Sequence, residues 1–504
     1  MRTRLSILII LAAAILVGAL LLTLLPRLGG QPVSPQPPSA PGWPITTPEE
    51  QGLDSRTLAR GLQAMADRGT PFHTILVLRN GRLVLDASRY PFSSSRLHNL
   101  ASVTKSITTT LIAIAAAQGK VDLDAPMLTY FPDRTIANLD ERKQAITVRH
   151  LAGMVNGFQS GCMGGDEPTL AAMRSQPDWV QAALDRPMAQ NPGERFCYDS
   201  PGMHLLSAIL TQATGMTALD FAREYLFAPL GIQDVAWQTD PQGYTHGWGD
   251  LSLLPSDAAK IGMLWLNGGV WEGTQIVPAD WVRESVTARA NGGMDDYGFG
   301  WWVSEDSYYA MGRGGQAIKV MPAAQAVVVT TGMGLEYDEV GRILTDAFVL
   351  GGTPLPGNPD GLAELEATVS SLSAAPAPTA VAPAPDIART ISENVYRFEA
   401  NDLRLVTLRL ETGAAAEATL HLSFSDQPQE AAWPVGLDGV YRFHGVTQAV
   451  RGSWTEASAF DLEVIEFTLT FSAPIQYRLD FDADRVRLMS PTFGVTLEGR
   501  VAGE

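Results

Sequence analysis

A chain of 504 residues exceeds what one ordinary hydrophobic core organises, so two folded units with appendages are expected. With 45% apolar and 18% charged residues, 11 Trp and 17 Phe, the composition is that of a globular protein. The formal net charge of −18 argues against a nucleic-acid binder, which needs a basic surface to displace counterions.

In chain order, Arg2 and Arg4 precede an apolar run over residues 5–25, relieved only by Ser6, Gly18 and Thr23. Such a run is long enough to cross a bilayer as a helix. The basic flank predicts residues 1–4 in the cytoplasm and the bulk of the chain exported, periplasmic or at the cell surface. A cleaved signal peptide is the alternative, but its apolar core is usually shorter and no small-x-small site follows closely. The reading adopted is an uncleaved transmembrane signal anchor. Residues 26–44 are rich in Pro (Pro32, Pro35, Pro37, Pro38, Pro41, Pro44) and read as an extended spacer. A second linker, dominated by Ala and Pro, covers residues 374–385. The two linkers imply folded units at 45–373 and 386–504.

The larger unit mixes element types. Residues 74–79 read as a strand, Asn80-Gly81 as a hairpin turn, and 83–85 as the returning strand. Helical patterns follow over 105–118, ended by Gly119, over 203–213, ended by Gly215, and over 255–267. A strand returns at 325–331. This order predicts an α+β unit with helices packed on an antiparallel sheet. The C-terminal unit alternates apolar and polar residues over 403–410, 418–424, 463–471 and 476–481, which predicts an all-β barrel or sandwich.

Chemistry concentrates at Ser102-Val103-Thr104-Lys105. Ser102 precedes a helical pattern, where exposed N–H groups and the helix dipole favour negative charge. Lys105, three positions on, shares its helix face and can reach the hydroxyl. A serine hydroxyl is a poor nucleophile until a base takes its proton, and a desolvated lysine is such a base. Of five lysines, only Lys105 follows a Ser at this spacing. The bland reading is an N-capping serine beside a solvated lysine. Tyr198, in the turn-rich stretch Tyr198-Asp199-Ser200-Pro201-Gly202, is a second candidate. A tyrosine near a cation can serve as general base and acid, while the bland reading is a packed, hydrogen-bonded ring.

These two segments, in this order, resemble the serine β-lactamase and penicillin-recognising family. The nearest likeness is to its class C branch, with the related esterases and 6-aminohexanoate-oligomer hydrolases. Ser102-Val103-Thr104-Lys105 resembles the family's first motif and Tyr198-Asp199-Ser200 its second, Tyr-x-Asn/Ser. Ile146-Thr147-Val148-Arg149-His150-Leu151 through Asn156-Gly157-Phe158, and Tyr297-Gly298-Phe299-Gly300-Trp301-Trp302, are further local likenesses. The resemblance implies a β-lactamase/transpeptidase-like fold and an acyl-enzyme mechanism. In it Ser102 is the nucleophile, Lys105 and Tyr198 move protons, and Ser200 belongs to the Lys105 network.

The third motif departs from the family's Lys/His-Thr/Ser-Gly. Without gaps it falls on Ala310-Met311-Gly312, with Pro322 closing the strand. In that register the N–H of Arg313 joins that of Ser102 in the oxyanion hole, and Gly312, Gly314 and Gly315 border the substrate. A slipped register would place Arg313 itself at the cation position. The loss of the cation and hydroxyl favours an esterase, amidase or peptidase over an efficient β-lactamase. The partner implied is a small molecule or peptide with an ester or amide bond.

No His-Glu-x-x-His spacing and no Gly-x-Ser-x-Gly elbow occurs, and no metal or organic cofactor is implied. His98 reads as structural. Cys162 and Cys197, the only cysteines, form either a disulfide in an exported chain or two buried thiols. The rival to an enzyme is a catalytically silent binding protein with the β domain as its interaction module.

Overall fold

The computed structural model describes residues 42–160, 167–293, 295–336, 340–341, 343, 346–347, 353–413, 416–425, 429–469, 473–482 and 484–502. The chain divides into two compact units, one of Pro38–Ser373 and one containing Ala374–Glu504.

In chain order the first unit begins with α1 (Ser55–Asp67), β1 (Phe72–Arg79), β2 (Arg82–Ser88), β3 (His98–Asn99) and α2 (Thr104–Ala117). It continues through α3 (Ser200–Thr214), β4 (Val235–Trp237), β5 (Leu251–Leu253) and α4 (Pro255–Leu266). It ends with β6 (Tyr308–Gly312), β7 (Gln316–Met321), β8 (Ala326–Gly332) and α5 (Pro359–Ser373), shorter elements lying between. The main sheet has the order β2-β1-β8-β7-β6, extended by the short strands Trp302–Val303, Asp296–Tyr297 and Ala290–Asn291. Every pairing in it is antiparallel, with Val77 opposite Val328 and Ala310 opposite Ile318.

All residues of β1 and β8 are buried, so the sheet centre is covered on both faces. Strand alternation sorts the two sides. Ile75, Val77 and Val328 pack with Leu58, Leu62 and Met65 of α1, and with Leu365 of α5. Leu76, Leu78, Val327 and Val329 join a larger core with Ile107 and Leu111 of α2 and Ile261 and Leu264 of α4. Helix α2 is buried over residues 104–115, the mark of a central helix. Its threonines tolerate this because each hydroxyl finds a carbonyl: Thr108 donates to Gly247 O at 2.8 Å, Thr109 to Ser106 O at 3.0 Å and Thr110 to Ser106 O at 2.6 Å.

The second unit is a closed barrel. Ten strands, β9 (Tyr396–Phe398), β10 (Leu405–Thr412), β11 (Glu417–Phe424), β12 (Ala431–Gly436), β13 (Arg442–His444), β14 (Gln448–Trp454), β15 (Ala459–Glu466), β16 (Ile475–Phe481), β17 (Arg485–Ser490) and β18 (Val495–Val501), follow the order β12-β11-β10-β9-β18-β17-β16-β15-β14-β13. A parallel contact of Gly436 with Arg451 joins β12 to β14 and closes the ring. The unit is not purely β, since α6 (Ile387–Glu393) precedes the strands and buries Ile391 in the barrel core. The Ala/Pro segment is tied down rather than free, with Thr379 N donating to Asp438 O at 2.8 Å.

One expectation is corrected. Among the described residues no helix is long and apolar enough to cross a membrane. The long helices α3 and α5 have 15 residues each, short of the roughly 20 that a bilayer requires. Residues 5–25, where the span was expected, lie outside the described residues, and over the described residues the fold is α+β with a C-terminal barrel.

Because α2 carries Ser102 at its approach and has no solvent face, truncating it inside the core has a large cost. Leu111→Ala is expected to destabilise the first unit by about 2–5 kcal/mol in denaturant unfolding.

Candidate active site

Ser102 sits on a short 3₁₀ turn, Ala101–Val103, between β3 and α2. The turn is held from several directions. Leu100 N donates to Leu251 O at 2.8 Å, Asn99 Oδ1 accepts from Ala101 N at 2.8 Å, and Thr104 Oγ1 donates to Ala101 O at 2.6 Å. Ala101 itself has φ 46°, a left-handed conformation unfavourable for a residue with a Cβ. The surrounding bonds impose it.

Lys105 lies one turn on and is 2% exposed. Its Nζ donates to Ser102 Oγ at 2.9 Å and to Trp248 O at 2.9 Å, and stands 4.6 Å from the centroid of the Tyr198 ring. Three approaches to one nitrogen account for how a lysine head group is accommodated out of water. The carbonyl of Trp248 is offered by a tightly seated loop. A Cβ on Gly247 would lie 2.0 Å from Met203 O of α3, so only glycine permits this crossing. The Trp248 ring stacks on His246 at 4.3 Å, and His246 Nδ1 lies 2.8 Å from Asp250 Oδ2.

Tyr198 is fixed by what surrounds it. Its ring stacks on Trp302 at 6.3 Å, and Trp302 follows the Tyr297-Gly298-Phe299-Gly300 stretch, whose Gly300 O accepts from Ser106 Oγ of α2 at 2.5 Å. The next residue, Asp199, is 1% exposed and paired with Arg186 through bonds of 2.6 and 3.0 Å, with Asn156 Nδ2 adding a third at 2.9 Å. This buried pair anchors the Tyr198 turn to the segment carrying Asn156.

β6 borders Ser102. A Cβ at Gly312 would lie 2.5 Å from Leu100 O and 2.9 Å from Ser102 N, so the strand end approaches the Ser102 turn at backbone distance. The Arg313 N–H follows immediately, and Gly314 and Gly315 turn the chain with φ 87° and 93°. Ala310 is buried and Met311 half-buried at the motif's remaining positions.

Thus Ser102, Lys105, Tyr198 and Gly312 come together. Ser200 takes a partner not foreseen from the sequence, its Oγ donating to Glu167 Oε2 at 2.8 Å. Cys197 is disulfide-bonded, and Cys162 lies outside the described residues. Burial pushes the His98 imidazole down to about 4, so it stands neutral against His73, 2.8 Å away. Among the described residues no cluster of His, Cys, Asp and Glu could hold a metal. Trp248 contributes a backbone carbonyl, which leaves no mark in a sequence. Asp199 was legible only as a neighbour of Tyr198, and its partner Arg186 carries no motif.

Residues 59–346, more than half of the chain, match the Beta-lactamase family. The chain belongs to that family. A 6-aminohexanoate-dimer hydrolase of Paenarthrobacter ureafaciens is 25% identical over 287 residues, covering 55% of this chain and 71% of that protein. A lovastatin esterase of Penicillium rubens is 27% identical over 213 residues, covering 37% of this chain and about half (51%) of the relative. Among solved structures, EstCE1, a hydrolase with promiscuous acyltransferase activity, superposes with TM-score 0.50 at 17% identity, covering 58% of this chain and 99% of its own. That likeness shows the fold. That these relatives are an esterase and an amide hydrolase supports serine hydrolase function in general.

Removing Arg186 would strand the Asp199 carboxylate in the interior. Arg186→Met is expected to cost about 3–5 kcal/mol in denaturant unfolding. The double change with Asp199→Asn should recover part of that loss.

Proposed function

We propose that the protein hydrolyses esters or amides through an acyl-enzyme on Ser102. The observation that carries this reading is the 2.9 Å contact of Lys105 Nζ with Ser102 Oγ, made by a lysine whose other bond is to a carbonyl. A carbonyl only accepts, so the Trp248 contact occupies one N–H of Lys105 and fixes the nitrogen beside the serine hydroxyl. Lys105, with Tyr198 over which it sits, takes the Ser102 proton as the hydroxyl oxygen attacks the substrate carbonyl. The tetrahedral oxyanion is held by the N–H groups of Ser102 and Arg313, which Gly312 brings to one place. Tyr198 returns the proton to the leaving alcohol or amine, and a water molecule then releases the acid and regenerates Ser102.

Ala310 and Met311 supply neither a cation nor a hydroxyl where the family's third motif has both. Substrates that depend on carboxylate recognition there, β-lactams among them, are therefore disfavoured relative to neutral esters and amides. Export is proposed on separate grounds, because a disulfide-bonded Cys197 belongs to an oxidising compartment.

A fluorophosphonate probe should label the wild-type protein and leave Ser102→Ala unlabelled. Short-chain esters should turn over faster than a chromogenic cephalosporin. No Ser102-dependent labelling, together with no turnover of any ester, amide or cephalosporin, would favour a silent binding protein. Tyr198→Phe should keep the fold and lower kcat by about 10²–10⁴-fold, the usual worth of a positioned proton carrier.

A further inference from the structure

The C-terminal barrel holds a half-open cavity of ≈ 110 Å³. Leucines form most of its wall, among them Leu405, Leu420, Leu422, Leu462 and Leu479. Polar groups enter it through Trp433, Gln448, Glu466 and Tyr477. Three of these face inward by strand alternation: Val435, Val450 and Val464 belong to the barrel core, and Trp433, Gln448 and Glu466 each lie two positions away.

Gln448 and Glu466 stand directly opposite one another on β14 and β15. Gln448 Nε2 donates to Glu466 Oε2 at 2.6 Å, and Thr468 Oγ1 donates to Glu466 Oε1 at 2.6 Å. Burial pushes the Glu466 carboxyl up to about 7. The network satisfies the acid and leaves the amide half-used. Gln448 Oε1 is buried with no hydrogen-bond partner, on a residue 2% exposed, and Trp433 Nε1 is buried with none either. The residues lining the cavity thus include a buried unused acceptor and a buried unused donor. Trp433 and Gln448 each lie three residues before Gly436 and Arg451, the pair that closes the barrel.

Buried polar groups without partners cost free energy that a matching ligand group recovers. A hydroxyl both donates and accepts, so a single hydroxyl can serve both atoms. The cavity is smaller than the roughly 150 Å³ hollow that accepts benzene, which limits the buried part to about five carbons.

We propose that the barrel binds a small apolar alcohol, its alkyl part in the leucine-lined cavity and its hydroxyl donating to Gln448 Oε1 and accepting from Trp433 Nε1. The site is separate from the Ser102 centre and does not depend on the hydrolase reading.

Isothermal titration of the full chain with 1-pentanol and with its near-isostere butyl methyl ether tests this directly. The ether has the same number of non-hydrogen atoms and accepts a hydrogen bond but cannot donate one. Saturable one-to-one binding of the alcohol is expected, at least about tenfold tighter than the ether, the factor that one modest hydrogen bond supplies. Gln448→Met should bring the alcohol to the ether's affinity. Leu462→Trp, or the milder Val464→Phe, should abolish binding of both by filling the space. The absence of saturable alcohol binding to the unaltered chain would overturn the proposal. So would equal affinities for alcohol and ether, the result expected if water already completes the two polar atoms. Both ligands are compared on the unaltered chain, so that comparison stands even where a variant fails to fold.

Discussion

The first unit is organised around one buried nitrogen. Lys105 Nζ lies between Ser102 Oγ, the Trp248 carbonyl and the face of the Tyr198 ring, and each contact comes from a different part of the chain. An ammonium taken out of water is expensive unless its hydrogens are used, so the surrounding elements must converge closely or the lysine would turn outward. Much of the fold's irregularity follows from that demand. The left-handed Ala101, the seat of Gly247 on Met203 O and the approach of Gly312 to Ser102 N are places where backbone comes nearer than a side chain would allow, or bends against its preference.

Convergence on one atom also links rigidity to chemistry. α2 is buried around its whole circumference, which fixes where Ser102 and Lys105 stand relative to each other. The Tyr198 turn, in contrast, is a loop, and its position comes from the buried Asp199–Arg186 pair and from the Trp302 ring. The Ser102 turn at the head of α2 and the loop-borne Tyr198 thus meet through two different devices, main-chain packing for one and a largely buried ion pair for the other. In the proposed mechanism the apolar third motif leaves this machinery untouched, because its contribution to the oxyanion hole is backbone and its lost side chains concern recognition.

The sequence was most informative where a local rule applies. Asn80-Gly81 marked the β1–β2 hairpin, helical spacing placed α2, α3 and α4 to within a few residues, and alternation foresaw the β character of the C-terminal unit. Ser102, Lys105 and Tyr198 stood out because their spacing and order form a pattern. What was not legible depends on contacts made at long range. The Trp248 carbonyl has no residue type, Glu167 meets Ser200 only in the fold, and Arg186 resembles any other arginine until Asp199 is buried beside it. Helices α1, α5 and α6 were missed; α6 sits where a β unit was expected, and α5 directly precedes an Ala/Pro stretch read as linker. The apolar run at residues 5–25 was read by composition alone, and no described helix bears out a membrane span.

The central claim is that Lys105 activates Ser102, and it is tested most directly by the rate at which a fluorophosphonate modifies Ser102 in Lys105→Met. Methionine keeps much of the packing volume while removing the base. With folding verified by circular dichroism, the account predicts a fall of at least about 100-fold in the second-order labelling rate, in line with the usual contribution of a general base. An unchanged rate in the folded variant would contradict it.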